Sequence, residues 1–192
     1  MSGMKKLFLI SGVSGVGKSS LIKELLALDD QFVYIVPFTT RPSRGSHDTK
    51  ISISDEAMDD LWSRGELLSV NEIYGIRCGT PRTFIKRVLD QDQTPLLDWP
   101  VSCLEVMRSA FPNQLYVVYV LPPSIHILQQ RLMKDERPVN PQRWQNTVAE
   151  LEAYKARVYA GVCDLEIVSE EDQIFETAQI IYTSYVSSSL KK

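Results

Sequence analysis

The stretch Gly12-Val13-Ser14-Gly15-Val16-Gly17-Lys18-Ser19 fills every position of G-x-x-x-x-G-K-[ST], and its flanks dictate how the chain must run there. Ahead of it stands the compact apolar run Leu7 to Ile10, read as a buried strand. Behind it Leu21, Leu25 and Leu28 recur at helical spacing from Ser19 onward. Strand, glycine-rich turn and helix therefore follow one another directly. Glycines let the backbone curl so that successive N–H groups converge on phosphate oxygens, and the helix adds its positive end. The set Gly12, Ser14, Gly15, Val16, Gly17, Lys18, Ser19 and Ser20 is thereby the candidate nucleotide cradle. Lys18 is placed to reach the β- and γ-phosphates, and the Ser19 hydroxyl to hold magnesium. A glycine-rich turn with an incidental lysine is the competing reading; the complete motif in this context outweighs it.

Two further apolar runs, Pro95 to Trp99 and Leu115 to Leu121, are separated by a helical stretch from Val101 to Ala110 that stops at Phe111-Pro112. Alternation of this kind predicts an α/β chain with a central parallel sheet covered by helices. Ser124 is placed to cap a helix carrying Ile125, Leu128 and Leu132. The polar stretch Met133 to Gln142, with Asp135-Glu136-Arg137, Pro138 and Pro141, reads as a mobile loop over a site. A long helix from Pro141 to Val158, a strand from Leu165 to Val168 and a helix from Ile174 to Tyr185 complete the pattern. The tail Ser187 to Lys192 is expected to be disordered. From Val33 to about Arg82 the texture changes to short alternating runs such as Ile51-Ser52-Ile53 between glycine turns, predicting a small, partly β insert.

A chain of 192 residues is expected to be one folding unit. Its net charge of -3 supplies no basic face for duplex nucleic acid, so phosphate recognition has to be local. Lys5 and Lys6 precede only four apolar residues, short of the ~7–15 of a secretory core. No run reaches the ~18–20 residues of a membrane span; a cytoplasmic protein without nucleic-acid or membrane partners, monomeric or homodimeric, is expected. Cys78, Cys103 and Cys163 lack metal-ligand spacing and read as reduced thiols. His47 and His126 are isolated, and Trp62, Trp99 and Trp144 read as packing, with Trp99 beside Asp98 a possible acceptor-pocket wall.

In Thr39-Thr40-Arg41-Pro42-Ser43-Arg44-Gly45 two arginines stand three apart in a hydroxyl-rich turn. Their forks suit a second phosphate group; a solvated surface turn is an equally open reading. Taken with the phosphate loop, Gly65-Glu66-Leu67-Leu68, Gly75, Gly79-Thr80-Pro81, Leu96-Leu97-Asp98, Phe111-Pro112, Pro122-Pro123-Ser124, Arg131-Leu132, and Arg143 followed by Ala149-Glu150-Leu151, the chain resembles the guanylate kinase family from Leu7 to about Ile181. The resemblance implies a three-layer P-loop NTPase fold with a core at about 1–32, 84–131 and 144–186. It also implies an acceptor-binding insert at about 33–83 and a lid at about 132–143. It implies ATP and Mg2+ as cofactors and a nucleoside monophosphate as acceptor, GMP by family default. Arg41 and Arg44 would hold the acceptor phosphate, Arg131 and Arg143 clamp the transferring group, and Asp98 orient metal-bound water or acceptor.

The acceptor side departs from the family pattern. Ser69 replaces the glutamate that accepts hydrogen bonds from guanine; Lys50 and Cys78 replace two tyrosines; Pro37 replaces a serine and Pro100 an acidic residue; Thr80 keeps its hydroxyl. In the lid, Asp135-Glu136-Arg137 stands where the family has an arginine-glycine pair, with Arg137 a candidate substitute, and Ser169 stands where an asparagine faces adenine. Lys50, Ser69, Cys78 and Thr80 join Arg41, Arg44 and Asp98 as the acceptor-binding candidates. Three readings stay open: a guanylate-kinase-type enzyme, a ribose 1,5-bisphosphate phosphokinase-like relative, and a non-catalytic module that binds protein partners.

Overall fold

In the computed structural model the described residues are 7–43, 50–73, 75–134, 141–156 and 161–190. Five strands, β1 (Leu7–Ser11), β2 (Phe32–Tyr34), β7 (Thr94–Asp98), β8 (Leu115–Leu121) and β9 (Leu165–Val168), form a sheet in the order β2-β7-β1-β8-β9. Every pair in it is parallel. Because side chains alternate along a strand, each central strand feeds two cores. Phe8 and Ile10 of β1, Leu96 of β7, and Tyr116, Val118 and Val120 of β8 face one way. Leu7 and Leu9, Leu97, Val117 and Tyr119 face the other. Both faces are covered, which is why these runs are apolar throughout rather than alternating.

The first face is closed by α1 (Lys18–Leu28), through Leu21, Ile22 and Leu25, and by α7 (Ile174–Leu190), through Ala178, Ile181 and Tyr185. The second is closed by α3 (Arg82–Asp90), through Ile85 and Val88, and by α4 (Leu104–Ala110), through Met107. This is the helix-covered parallel sheet that the strand alternation predicts, in the three-layer P-loop NTPase arrangement that the resemblance implies.

Between β2 and α3 a second sheet is inserted, in the order β4-β3-β6-β5, from β3 (Phe38–Thr39), β4 (Ile51–Ser52), β5 (Leu67–Ile73) and β6 (Ile76–Pro81). Its β3, β6 and β5 pair antiparallel. β2 itself belongs to the main sheet through Phe32, Val33 and Tyr34. Two helices here were not anticipated. One, α2 (Asp55–Ser63), is capped by Ser54, whose Oγ accepts from Ala57 N at 3.1 Å, and carries Asp55 and Glu56 in its first turn. The other is α3, whose Ile85 and Val88 stand at the i, i+3 spacing of a buried stripe. Met58 of α2 lies against Gly79, where a Cβ would stand 2.6 Å from the methionine sulfur.

Ser187 to Leu190 are not disordered: α7 continues through them. Serines are weak helix formers, but α7 is held by its buried stripe, by the Tyr116 hydroxyl donating to Ser184 Oγ at 2.7 Å, and by Ser188 Oγ donating to the Tyr185 carbonyl at 2.7 Å. Tyr185 enters an aromatic cluster with Phe8, Phe32 and Tyr116, and its hydroxyl lies 3.0 Å from the buried Thr94 Oγ1. Tyr185→Phe is expected to lose about 1–2 kcal/mol by leaving Thr94 unsatisfied, seen as a lower urea midpoint at unchanged slope.

The stretch expected as a loop, 133–142, is helical at both ends: Met133 and Lys134 belong to α5 (Ile125–Lys134), capped by Ser124 Oγ accepting from Ile127 N at 3.1 Å, and Pro141 and Gln142 to α6 (Pro141–Lys155). Its residues 135–140, Arg137 included, lie outside the described set, as do Arg44 and His47. His126 is exposed on α5. All three cysteines are free thiols, and burial pushes the Cys163 thiol up to about 11.

Candidate active site

The site grows from the carboxyl ends of β1 and β7, where ligands collect in open parallel sheets. Register pairs Ile10 with Asp98, and Trp99 N donates to the Ile10 carbonyl at 2.9 Å, so Asp98 stands where the phosphate loop begins. After β1 the backbone turns at Gly12 with φ +137°, pressed so closely on β8 that a Cβ would lie 2.5 Å from the Val120 carbonyl oxygen. Gly17, with φ +101°, enters α1 without a side-chain cap. Thus no side chain caps the positive N-terminus of α1, the arrangement an anion exploits.

This end opens on a cleft of ≈ 580 Å³ whose walls include Ser14, Lys18, Ser19, Asp98, Arg131 and Glu150. Gly12, Gly15, Gly17 and Ser20 also line it; Val16 turns its side chain into the core and offers only its backbone. Lys18 Nζ donates to the carbonyls of Gly12 at 2.6 Å and Val13 at 3.2 Å and stands 3.8 Å from Asp98 Oδ1. The ammonium is thereby aimed along the loop by three oxygens. Asp98 is 43% exposed, so the ion pair positions rather than stabilises.

Two arginines reach the loop from the helices beyond it. Arg143, on the first turn of α6, donates from Nε at 3.2 Å and Nη2 at 2.8 Å to Ser14 Oγ. Arg131, on α5, donates to the Val16 carbonyl at 3.4 Å and the Ser169 carbonyl at 3.1 Å, joining the loop to the end of β9. Four candidates spread over 125 residues of chain, Lys18, Asp98, Arg131 and Arg143, are therefore gathered at one loop.

Sequence reading assigned no role to Glu150, named only within a family motif, and none to Tyr34, Glu171 or Ile174. Glu150 lines the cleft; burial, with the Asp98 charge adding and Lys18 opposing, holds its carboxyl above the usual range. Burial and the Asp98 charge push the Tyr34 phenol up to about 12, so it stays neutral. Glu171 and Ile174 also line the cleft. The available signal for Glu150 was its place seven residues after Arg143, about two helical turns.

Magnesium takes hard oxygen donors, few of them from protein, and keeps water and phosphate for the rest. The exposed Ser19 hydroxyl and the Asp98 carboxylate in one cleft fit that demand. Among the described residues no cluster of three or more His, Cys, Asp or Glu could hold a metal, so a cation here would depend on nucleotide phosphates.

The other candidates collect on the inserted sheet. Register pairs Thr39 with Cys78, Cys78 with Asn71, and Thr80 with Ser69, which places all five on one face. Lys50 Nζ donates to Cys78 Sγ at 3.1 Å, and Cys78 Sγ lies 3.8 Å from Thr39 Oγ1. Ser69 and Thr80 are 7% and 8% exposed, and Ser69 Oγ has no hydrogen-bond partner among the described residues. Arg41 follows β3 and its N–H donates to Thr39 Oγ1 at 3.3 Å. Carboxylates sit elsewhere: Asp55 and Asp59 of α2 bind Arg77 at 3.4 and 2.6 Å, and Glu72 pairs across the ladder with that same arginine. Trp99 does not wall this face; it is 2% exposed in the second core, with Nε1 donating to the Cys103 carbonyl at 3.0 Å.

A sequence model of guanylate kinase matches residues 4–184. The chain belongs to the guanylate kinase family. It is nucleoside monophosphate kinase-like in motif and fold. The guanylate kinase of Nitrosomonas europaea is 35% identical over 133 residues, 67% of this chain and 65% of that protein. That of Alkalilimnicola ehrlichii is 29% identical over 184 residues, 93% of this chain and 88% of that one. Among solved structures, a guanylate kinase from Anaplasma phagocytophilum superposes with TM-score 0.77 at 21% identity, covering 100% of this chain and 89% of that one. A shikimate kinase from Acinetobacter baumannii superposes at 0.54 with 18% identity over 98% and 97% of the two chains. Both share its fold.

Proposed function

We propose that this guanylate kinase family member is an ATP- and magnesium-dependent phosphotransferase acting on a phosphorylated acceptor, a nucleoside monophosphate with GMP as the family default. The observation that carries the reading is the placement of Lys18 between the loop carbonyls and Asp98, at the mouth of an uncapped helix. Metal bound there would supply charge neutralisation of the phosphates. The chain's own groups do the rest by position and charge, which is what phosphoryl transfer requires. Lys18 would steady the β- and γ-phosphates, Ser19 would hold the metal, Arg131 and Arg143 would follow the transferring group, and Asp98 would orient water on the metal or the acceptor. Retention of Lys18 and Ser19 in one cleft speaks against a module without catalysis.

We divide the chain into a core, an acceptor-binding insert at about 33–83 and a lid at about 132–143. Arg41, Arg44 and Lys50 hold the acceptor phosphate, with Cys78, Thr80 and Ser69 on the same acceptor surface. A guanine edge offers N–H donors that need a strong acceptor, and this face presents hydroxyls, a thiol, an amide and an ammonium. That favours an acceptor with more phosphate and less base than GMP, and keeps ribose 1,5-bisphosphate as the second reading. Among the described residues no helix is long and apolar enough to cross a membrane, and a cytoplasmic setting fits ATP as donor.

An ATP-consumption assay over GMP, dGMP, AMP, CMP, UMP, dTMP and ribose 1,5-bisphosphate tests this directly. Turnover of at least one acceptor is expected; silence across the panel despite ATP binding would refute the listed acceptors. Ser69→Glu restores a base-facing carboxylate and is expected to raise the GMP-over-AMP ratio of kcat/KM about tenfold or more, the scale of one recovered polar contact. An unchanged ratio would remove Ser69 from acceptor recognition.

A further inference from the structure

Helix α6 carries more of the site than its first turn. Arg143 and Glu150 lie on one face of it, seven residues apart. Between them the buried Thr147 spends its hydroxyl on the Arg143 carbonyl at 2.8 Å. Arg143 fastens the upper end to Ser14. The lower end is fixed by Leu151, 1% exposed in the first core, and by Tyr154, whose ring stacks on Tyr119 of β8 at 3.4 Å and 2°. Glu150 therefore stands between three anchors and is presented into the cleft lined by Lys18, Ser19 and Asp98. The charges of Lys18 and Asp98 both reach it. Neighbouring carboxylates on a partly buried ammonium are not needed to hold Lys18, which two loop carbonyls already fix. What a second carboxylate adds to a hydroxyl and one carboxylate is an acceptor for metal-bound water, since magnesium keeps several waters that require oriented acceptors.

We infer that Glu150 is a positioning residue which, with Asp98, accepts hydrogen bonds from the water shell of the divalent cation that Ser19 holds with ATP. This rests on the proposed ATP and metal chemistry of the cleft and adds to it a residue on a different helix. Ser19 contacts the metal; Glu150 acts through water and fixes where the hydrated ion sits relative to Lys18.

The test uses the full chain with a non-hydrolysable ATP analogue and Mn2+, without acceptor, reading bound metal by electron paramagnetic resonance. Glu150→Gln is expected to weaken Mn2+ binding about tenfold or more, the usual effect of removing an outer partner of a metal site. Analogue affinity in excess chelator should stay unchanged, as should the melting temperature. Unchanged Mn2+ affinity would overturn the inference. A parallel loss of metal-free analogue binding would also overturn it, by marking Glu150 as a structural residue of α6. Glu150→Asp, which keeps the charge one methylene shorter, should show an intermediate loss and serves as the same test if the glutamine variant does not fold. Failure of the unaltered protein to bind Mn2+ with the analogue would overturn the underlying function as well, which separates the two.

Discussion

Replacing Lys18 by alanine is expected to lower kcat about 10²–10³-fold on whichever acceptor the chain uses, the scale set by loss of one preorganised donor to developing charge. Its Nζ is held by the Gly12 and Val13 carbonyls and faces Asp98 across 3.8 Å. Among the described residues no second lysine lines this cleft, and Arg131 and Arg143 are engaged with Val16, Ser169 and Ser14. The same change should cost little stability, because the ion pair is partly exposed and the two carbonyls lose only one shared donor. Single-turnover kinetics beside a urea melt separate these effects. A loss of tenfold or less with intact folding would place the chemistry outside this loop.

Gly12→Ala should do the reverse, damaging the fold before the chemistry. Two costs meet at one atom. The residue sits at φ +137°, and its new Cβ would stand 2.5 Å from the carbonyl oxygen of Val120, backbone of a central strand that no rotamer change can move. Strained backbone costs about 1–3 kcal/mol and overpacking a similar amount. The sum, about 2–6 kcal/mol, is a large share of the ~5–15 kcal/mol that holds a domain together. Gly65→Ala is the control, with φ +69° and nothing within 4 Å of the added carbon; it should cost about 1 kcal/mol. Equal urea midpoints for the two variants would show that the approach of the loop to β8 does not matter to stability.

The parts of the fold that were legible are those with one strong local signal. Leu7 to Ile10 and Leu115 to Leu121 became β1 and β8 because strands covered on both faces must be apolar without alternation, whereas Leu165 to Val168 became the edge strand β9, half-buried in alternation, with Glu166 and Val168 outward. Helices α2 and α3 went unread although each had a signal, Ser54 with two acids after it and Ile85 with Val88 at helical spacing. In both cases the short strands on either side dominated the pattern. The end of α7 was misread because local propensity of Ser187 to Ser189 opposes helix, while the packing of Tyr185 favours it.

The amino-acid sequence by itself determined the phosphate loop, since the glycines, Lys18 and Ser19 are contiguous and their chemistry depends on backbone curvature that neighbouring residues impose. It also determined which side chains stand at the acceptor positions, Ser69 and Lys50 among them. Only the tertiary structure decided the partnerships. Lys50 meets Cys78 across 28 residues, Arg131 meets Val16 across 115 and Arg143 meets Ser14 across 129. Glu150 enters the cleft because Leu151 and Tyr154 lock its helix to both cores. Such contacts have no period and no local signature; the first exists because the inserted sheet sets β6 beside β3 and β3 beside β4, and the others because a parallel sheet brings the ends of distant strands, and the helices between them, to one edge.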